Sequence, residues 1–182
     1  FGATAFTTIA IHIVPALTDT GMSLTMAGVV VAVYTSTGVV FQLVGGFLGD
    51  RLPKPPLIAF FIATQGLGIL IVAFNSSVPG AFLFAVVFGM GFGGRVPLLT
   101  AIRGDYFGRK SFATILGVSQ LPMNLIMMGA PVLAGYLFDL QGTYRVPFVG
   151  LTVLNLMGAV LILVARKPKL PGARQRSVEG RL

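Results

Sequence analysis

Apolar residues run through this chain in long blocks, broken by brief polar interruptions, and none of the blocks carries a polar face. Residues 1–18 are apolar apart from threonines and His12, and they predict the outer part of a cut helix. Asp19 to Ser23 form a short turn around Gly21. Residues 24–49 predict a second helix, long enough to cross a hydrocarbon core of about 30 Å. Residues 56–75 predict a third, ended by Asn75-Ser76-Ser77, and residues 79–102 a fourth, with Pro79 at its start. Arg103 to Lys110 read as a polar, charged loop. Residues 111–138 predict a fifth helix, kinked at Pro122 and Pro131. Asp139 to Thr143 turn the chain, and residues 145–166 predict a sixth helix. From Lys167 onward the pattern is lost: residues 167–182 predict a basic, disordered tail behind a helical unit spanning 1–166.

A soluble helical bundle would need polar faces on most of these helices. The composition points the same way: 55% of residues are hydrophobic and only 10% charged, where soluble domains carry about 25% charged residues. Glycine is abundant, 24 residues, as in membrane helices. The expected class is therefore an all-α membrane protein with six transmembrane helices. No Met opens the chain and Phe1 lies inside an apolar run, so a preceding segment is expected, and no basic region marks a signal peptide.

The charges are few but ordered. Of the 13 basic residues, eleven flank the connections after the second and fourth helices or fall at the C-terminal end, while Arg145 alone sits beside an opposite connection. The positive-inside rule places the loops near Lys54 and Arg109, and the C-terminus, in the cytoplasm. The net charge of +8 then reports loops beside an anionic leaflet.

The sharpest local pattern is Gly45-Gly46-Phe47-Leu48-Gly49-Asp50-Arg51-Leu52-Pro53-Lys54-Pro55-Pro56. Gly45 and Gly49 lie four apart on one helix face and admit another backbone. Asp50, Arg51 and the prolines end the span, and Pro55 or Pro56 suits the opening of the next helix. Gly46 to Lys54 resembles the signature loop of the major facilitator superfamily, Gly-x-Leu-Ala-Asp-Arg-x-Gly-Arg-Lys: Gly46, Leu48, Asp50, Arg51 and Lys54 match, while Pro53 and Pro55 depart from it. Gly129 to Tyr144 resembles the penultimate helix and last outer turn of that family, and Arg103 to Arg109 its preceding cytoplasmic loop. His12 to Gly21 resembles the monocarboxylate and oxalate/formate branch. The resemblance implies the C-terminal half of a twelve-helix transporter, built from two inverted three-helix repeats. It implies a substrate bound between halves near the midplane. The implied partners are an N-terminal six-helix half of the same polypeptide, the lipid bilayer and a small-molecule substrate, with or without a coupled proton.

Arg95 is the leading candidate for chemistry. It lies eight residues before Arg103, about 12 Å inside the membrane at 1.5 Å per residue. A charge there is costly and faces a bundle interior or a water-filled cavity, and the family's tenth helix borders the central cavity. One reading is an anion ligand, since a guanidinium grips a carboxylate with two parallel hydrogen bonds. The other is a structural arginine beside Gly91 to Gly94. His12 is the sole near-neutral titrating side chain in a span. It reads either as a site for proton coupling or substrate, or as a neutral inter-helix partner. Gln42, Gln120 and Asn124 are intramembrane amides, the last two on one face. They read as substrate ligands or inter-helix glue. Tyr34, Phe88 and Phe92 read as cavity lining or apolar core. Asp50, Arg51 and Gly46, with Asp105 and Arg109 in the second loop, are candidates for a conformational switch, in which a carboxylate at a helix boundary binds a neighbouring helix N-terminus in one state. The alternative is interfacial charge that fixes topology.

Enzymatic chemistry has no support: cysteine is absent, there is one histidine, and no catalytic, metal-ligand or phosphate-loop spacing occurs. No cofactor or metal is expected. The tail lacks interleaved aromatics, so nucleic acid is not an expected partner. The function expected is secondary active transport of a small organic anion, a monocarboxylate above all, by alternating access, in a plasma membrane of bacterial or archaeal inner-membrane type. Efflux of amphipathic compounds and a non-transporting receptor on the same fold are the competing readings.

Overall fold

The computed structural model describes residues 1–75 and 77–165, without the side chains of residues 107–116 and 119. The tail from residue 166 and the side chains of Arg109 and Lys110 lie outside the described residues. The elements are all helical: α1 Gly2–Thr18, α2 Leu24–Gly49, α3 Lys54–Phe74, α4 Val78–Gln141 and α5 Arg145–Val164. Among the described residues, five stretches are long and apolar enough to cross a membrane, and α1 is a shorter apolar helix beside them.

Local chemistry sets the boundaries. The Ser23 hydroxyl accepts from the Met26 N–H at 3.3 Å and the Ser77 hydroxyl from the Gly80 N–H at 3.2 Å, each satisfying an orphan donor of a first turn. Pro53 precedes α3, and Pro55 and Pro56 fall in its first turn, where a missing N–H costs nothing. The helix begins at Lys54 rather than at residue 56. Gly142 closes α4 at φ 64°, a left-handed conformation that glycine adopts without a Cβ clash.

The polar loop expected at Arg103 to Lys110 is helical instead, and the fourth and fifth predicted helices join in α4, 64 residues long. No proline falls between Pro97 and Pro122, and residues leaving the membrane keep their helical hydrogen bonds at little cost when most are adequate helix formers. Two apolar arms lie within α4, Val78–Tyr106 and Gln120–Gln141. They cannot form one straight rod. In a rod Arg95 and Met123 would stand about 42 Å apart at 1.5 Å per residue, yet both line one cavity with Phe1 and Gly2. Along α1, Gly2 meets Arg95 and Phe6 stacks on Phe92 with ring centroids 4.0 Å apart, while His12 reaches Pro131 and Leu17 shares a second cavity with Phe138. The first arm therefore runs antiparallel to α1 and the second parallel to it, with the reversal between Tyr106 and Gln120.

Lipid tails are as apolar as leucine, so close van der Waals approach, not a solvent-driven collapse, holds such helices together. The first arm supplies that approach through glycine. A Cβ on Gly93 would collide with the Gly38 carbonyl, one on Gly45 with Gly94, and one on Gly89 with the Tyr34 carbonyl. Gly91 serves the other side, against the Gln65 backbone of α3. The first arm is thus clamped between α2 and α3. One apolar cluster joins Ile9, Ile13, Tyr34, Phe84, Phe88 and Phe148; a second, at the Lys54 end, joins Ile58, Phe61, Leu98 and Ala159. Tyr34 and Phe88 belong to this core, their rings edge-on at 5.5 Å.

Candidate transport site

Arg95 is 5% exposed and is held in place by α3. Its Nε donates to Gln65 Oε1 at 2.8 Å, and Gln65 Nε2 in turn donates to the Gly2 carbonyl at 3.1 Å. Gln65 is fully buried. The relay satisfies both ends of a buried amide and ties α1, α3 and the first arm together, as buried polar groups require. Gln65 was not singled out by sequence reasoning. The available signal was the one that marked Gln42, an amide in the middle of an apolar span. Arg95 also lines a cavity of about 520 Å³ at the Lys54 end, with Arg103 and Thr100 on its wall.

His12 is half-buried, and its Nε2 lies 3.0 Å from the Pro131 carbonyl. A carbonyl only accepts, so Nε2 carries the hydrogen and ties α1 to the second arm. The ring lies 5.5 Å from that of Tyr144. Tyr144 stacks on Phe138 at 4.2 Å beyond the end of the second arm. Burial first, then the Asp19 and Asp139 carboxylates, push its phenol above the ordinary value, so it stays a neutral donor.

The amides are placed differently. Gln42 on α2 and Asn124 on the second arm are exposed, and Gln120 is half-exposed. No described hydrogen bond joins Arg95 to His12, Gln42, Gln120 or Asn124, so these candidates do not converge within this chain. Their helices are the least covered: 22% of the apolar window of α2 and 11% of that of the second arm are buried, against 61% for α3 and 50% for the first arm.

At the Lys54 end, Asp50 caps α2 and is exposed, with its backbone N–H donating to the Gly46 carbonyl at 3.2 Å. Arg51 lies over the Phe47 ring at 4.0 Å. Gly46 faces open space, so glycine is not needed there for packing within this half. Asp105 pairs with Lys54, Nζ to Oδ2 at 2.9 Å, which joins the start of α3 to the end of the first arm. The Arg109 side chain lies outside the described residues.

The family model of the Major Facilitator Superfamily matches residues 1–181. The chain belongs to that superfamily. Its helical architecture and apolar spans make it a multi-pass membrane protein of a transporter family. The human "Monocarboxylate transporter 11" is 28% identical over 162 residues, covering 84% of this chain and 34% of that protein. The bovine "Monocarboxylate transporter 13" is 26% identical over 156 residues, 84% of this chain and 36% of that protein. A "Multidrug resistance protein B homolog" of Mycobacterium tuberculosis is 28% identical over 150 residues, 80% of this chain and 28% of that protein. The chain thus spans about a third of the length of these relatives.

Proposed function

We propose that the chain is the C-terminal half of a secondary active transporter that moves a small organic anion, a monocarboxylate above all, by alternating access. The observation that carries the reading is the exposure of Gln42 and Asn124 inside apolar spans. An amide facing hydrocarbon is unfavourable, and polar side chains in spans face a bundle interior or a water-filled cavity. Another six-helix half over α2 and the second arm resolves this, with a wet passage between the halves. The relatives have the length to supply that half. In this reading Gln42, Gln120 and Asn124 offer hydrogen bonds along the passage, His12 accompanies the second arm as it moves, and Arg95 supplies the charge a carboxylate needs. Asp50, Arg51, Gly46, Asp105 and Arg109 serve the conformational switch at the Lys54 end. That end and the C-terminus face the cytoplasm of a plasma membrane, following the basic residues.

Two relatives named for monocarboxylates support an anion over an amphipathic drug, and the multidrug-named relative keeps efflux as the second reading. Proteoliposomes of the full-length protein separate them. Uptake of radiolabelled lactate, pyruvate or longer monocarboxylates, competed by unlabelled anion, is the expected result. Movement of lipophilic cations without any carboxylate flux would instead establish efflux, and no flux of either class would leave a receptor.

A further inference from the structure

We propose that Asn155 on α5 is a switch residue of the transport cycle. Its amide is without a partner in the arrangement seen here and takes the Gly66 carbonyl of α3 in a second one, reached by a short slide of α5 along α3. The inference rests on the transporter reading and adds a residue and a moving helix pair to it.

Asn155 is fully buried, and neither its Oδ1 nor its Nδ2 has a hydrogen-bond partner. It is the one side chain in that condition among the described residues. Buried amides are nearly always bonded, and leaving one unmade costs more than making it gains. The other buried amide among the described residues, Gln65, uses both of its ends. Leucine has the same branching as asparagine and would leave no polar group unpaired at this position. An amide kept there is explained if it finds its partner in another arrangement of the same helices.

The α3–α5 contact supplies that partner. Asn155 packs on Gly66, where an added Cβ would stand 3.3 Å from the Asn155 Cβ. Three residues earlier, on the same face of α5, the Thr152 hydroxyl lies 3.0 Å from the Phe148 carbonyl and 3.3 Å from the Gly66 carbonyl. A hydroxyl carries one hydrogen, so Thr152 holds the Gly66 carbonyl only in part. Side chains of a helix lean toward its N-terminus, which on α5 is the Thr152 side. The Asn155 amide therefore leans toward the Gly66 carbonyl already. A slide of α5 toward its own N-terminus by about 1–2 Å, the scale of helix shifts at packed interfaces, brings Nδ2–H to that carbonyl. The displaced Thr152 hydroxyl then donates to Asn155 Oδ1, and both ends of the amide are satisfied. Gly66 presents bare backbone to α5, so no side chain blocks the movement. Two packed arrangements exchanged through one set of hydrogen bonds form an element whose balance a ligand can shift.

The test uses full-length protein in a cysteine-free background, with thermal unfolding in detergent and carboxylate flux in proteoliposomes. A reporter Gln42→Cys, on the exposed face of α2, is labelled by a charged, impermeant thiol reagent. Asn155→Leu removes the unpaired amide and abolishes the second arrangement. Its unfolding midpoint should rise, and flux per folded molecule should fall several-fold, up to about ten-fold, the scale of one lost hydrogen bond. Thr152→Val clears the Gly66 carbonyl for Asn155 and favours the second arrangement. The reporter's labelling rate should therefore move in opposite directions in Asn155→Leu and Thr152→Val, which a merely structural amide would not produce. Where leucine overfills the contact with Gly66 and the variant does not fold, the shorter Asn155→Val carries the flux and labelling measurements. Wild-type flux in the apolar variant, or labelling that moves the same way in both variants, would overturn the switch. Flux of the wild-type protein keeps the two proposals apart. Wild-type flux that neither variant alters removes the switch and leaves the transporter. Absence of wild-type flux removes the transporter, and labelling shifts of opposite sign would still establish the two arrangements.

Discussion

Adding one methyl group at Gly93 tests how this helix bundle is held together. A Cβ there would collide with the backbone of Gly38 on α2. Backbone cannot swing aside as a flexible side chain can, so the first arm and α2 must separate or one must rotate. Overpacking of this kind costs about 1–3 kcal/mol. It is offset by about 0.5–1 kcal/mol, because alanine is the better helix former. The net expectation for Gly93→Ala is a loss of up to about 2.5 kcal/mol. Gly28→Ala on α2 is the matched control: a Cβ there meets nothing within 4 Å, so only the propensity gain remains, and the sign reverses. Thermal unfolding of both variants in one detergent reads the difference. The two variants should move in opposite directions. If Gly93→Ala were as stable as Gly28→Ala, close glycine packing would not be what fixes α2 against the first arm.

Gln65→Leu leaves the Arg95 Nε–H without its acceptor and the Gly2 carbonyl without its donor; a loss of about 1.5–3 kcal/mol is expected in thermal or denaturant unfolding. For Lys54 and Asp105, whose side chains are 24% and 52% exposed, a double-mutant cycle with Lys54→Gln and Asp105→Asn should give a coupling of about 0–1 kcal/mol, shrinking in high salt. Asp50→Asn should lower transport while the amount of protein in the membrane holds, for a bias on the order of 1 kcal/mol between states; wild-type flux with unchanged state-dependent accessibility would reduce Asp50 to a topology marker.

Apolar block length was enough to read an all-helical membrane protein, because each span must satisfy its backbone internally and cover a fixed thickness. The connection at Arg103 to Lys110 was read as a loop and is helical, because charge marks where a span leaves the membrane, not where a helix stops; the separation into two spans was legible. Gly45 and Gly49 were legible as close-packing positions from their spacing. Their partners were not, since pairing α2 with the first arm is a tertiary choice. Arg95 stood out as an intramembrane charge, while Gln65, 30 positions away, could be matched to it only once α3 and the first arm were placed side by side. Lys54 and Asp105 were each visible in a charged stretch, and their pairing likewise depends on how two helix ends meet. Gln42, Gln120 and Asn124 were readable as polar residues in spans, but whether they faced core or surface was set by packing that the sequence does not spell out.

In the proposed transporter, the amide-bearing surfaces of α2 and the second arm border a water-filled passage rather than lipid. This chain has no cysteine, so single-cysteine labelling reads its surface cleanly in an otherwise cysteine-free full-length background. Gln42→Cys and Asn124→Cys would be compared with Leu156→Cys, which lies on an apolar groove of α5, using a charged, membrane-impermeant thiol reagent on proteoliposomes. Labelling at 42 and 124, changed by a transported carboxylate, and none at 156 is the expected result. Unreactive cysteines at 42 and 124, matching 156 under every condition, would contradict it.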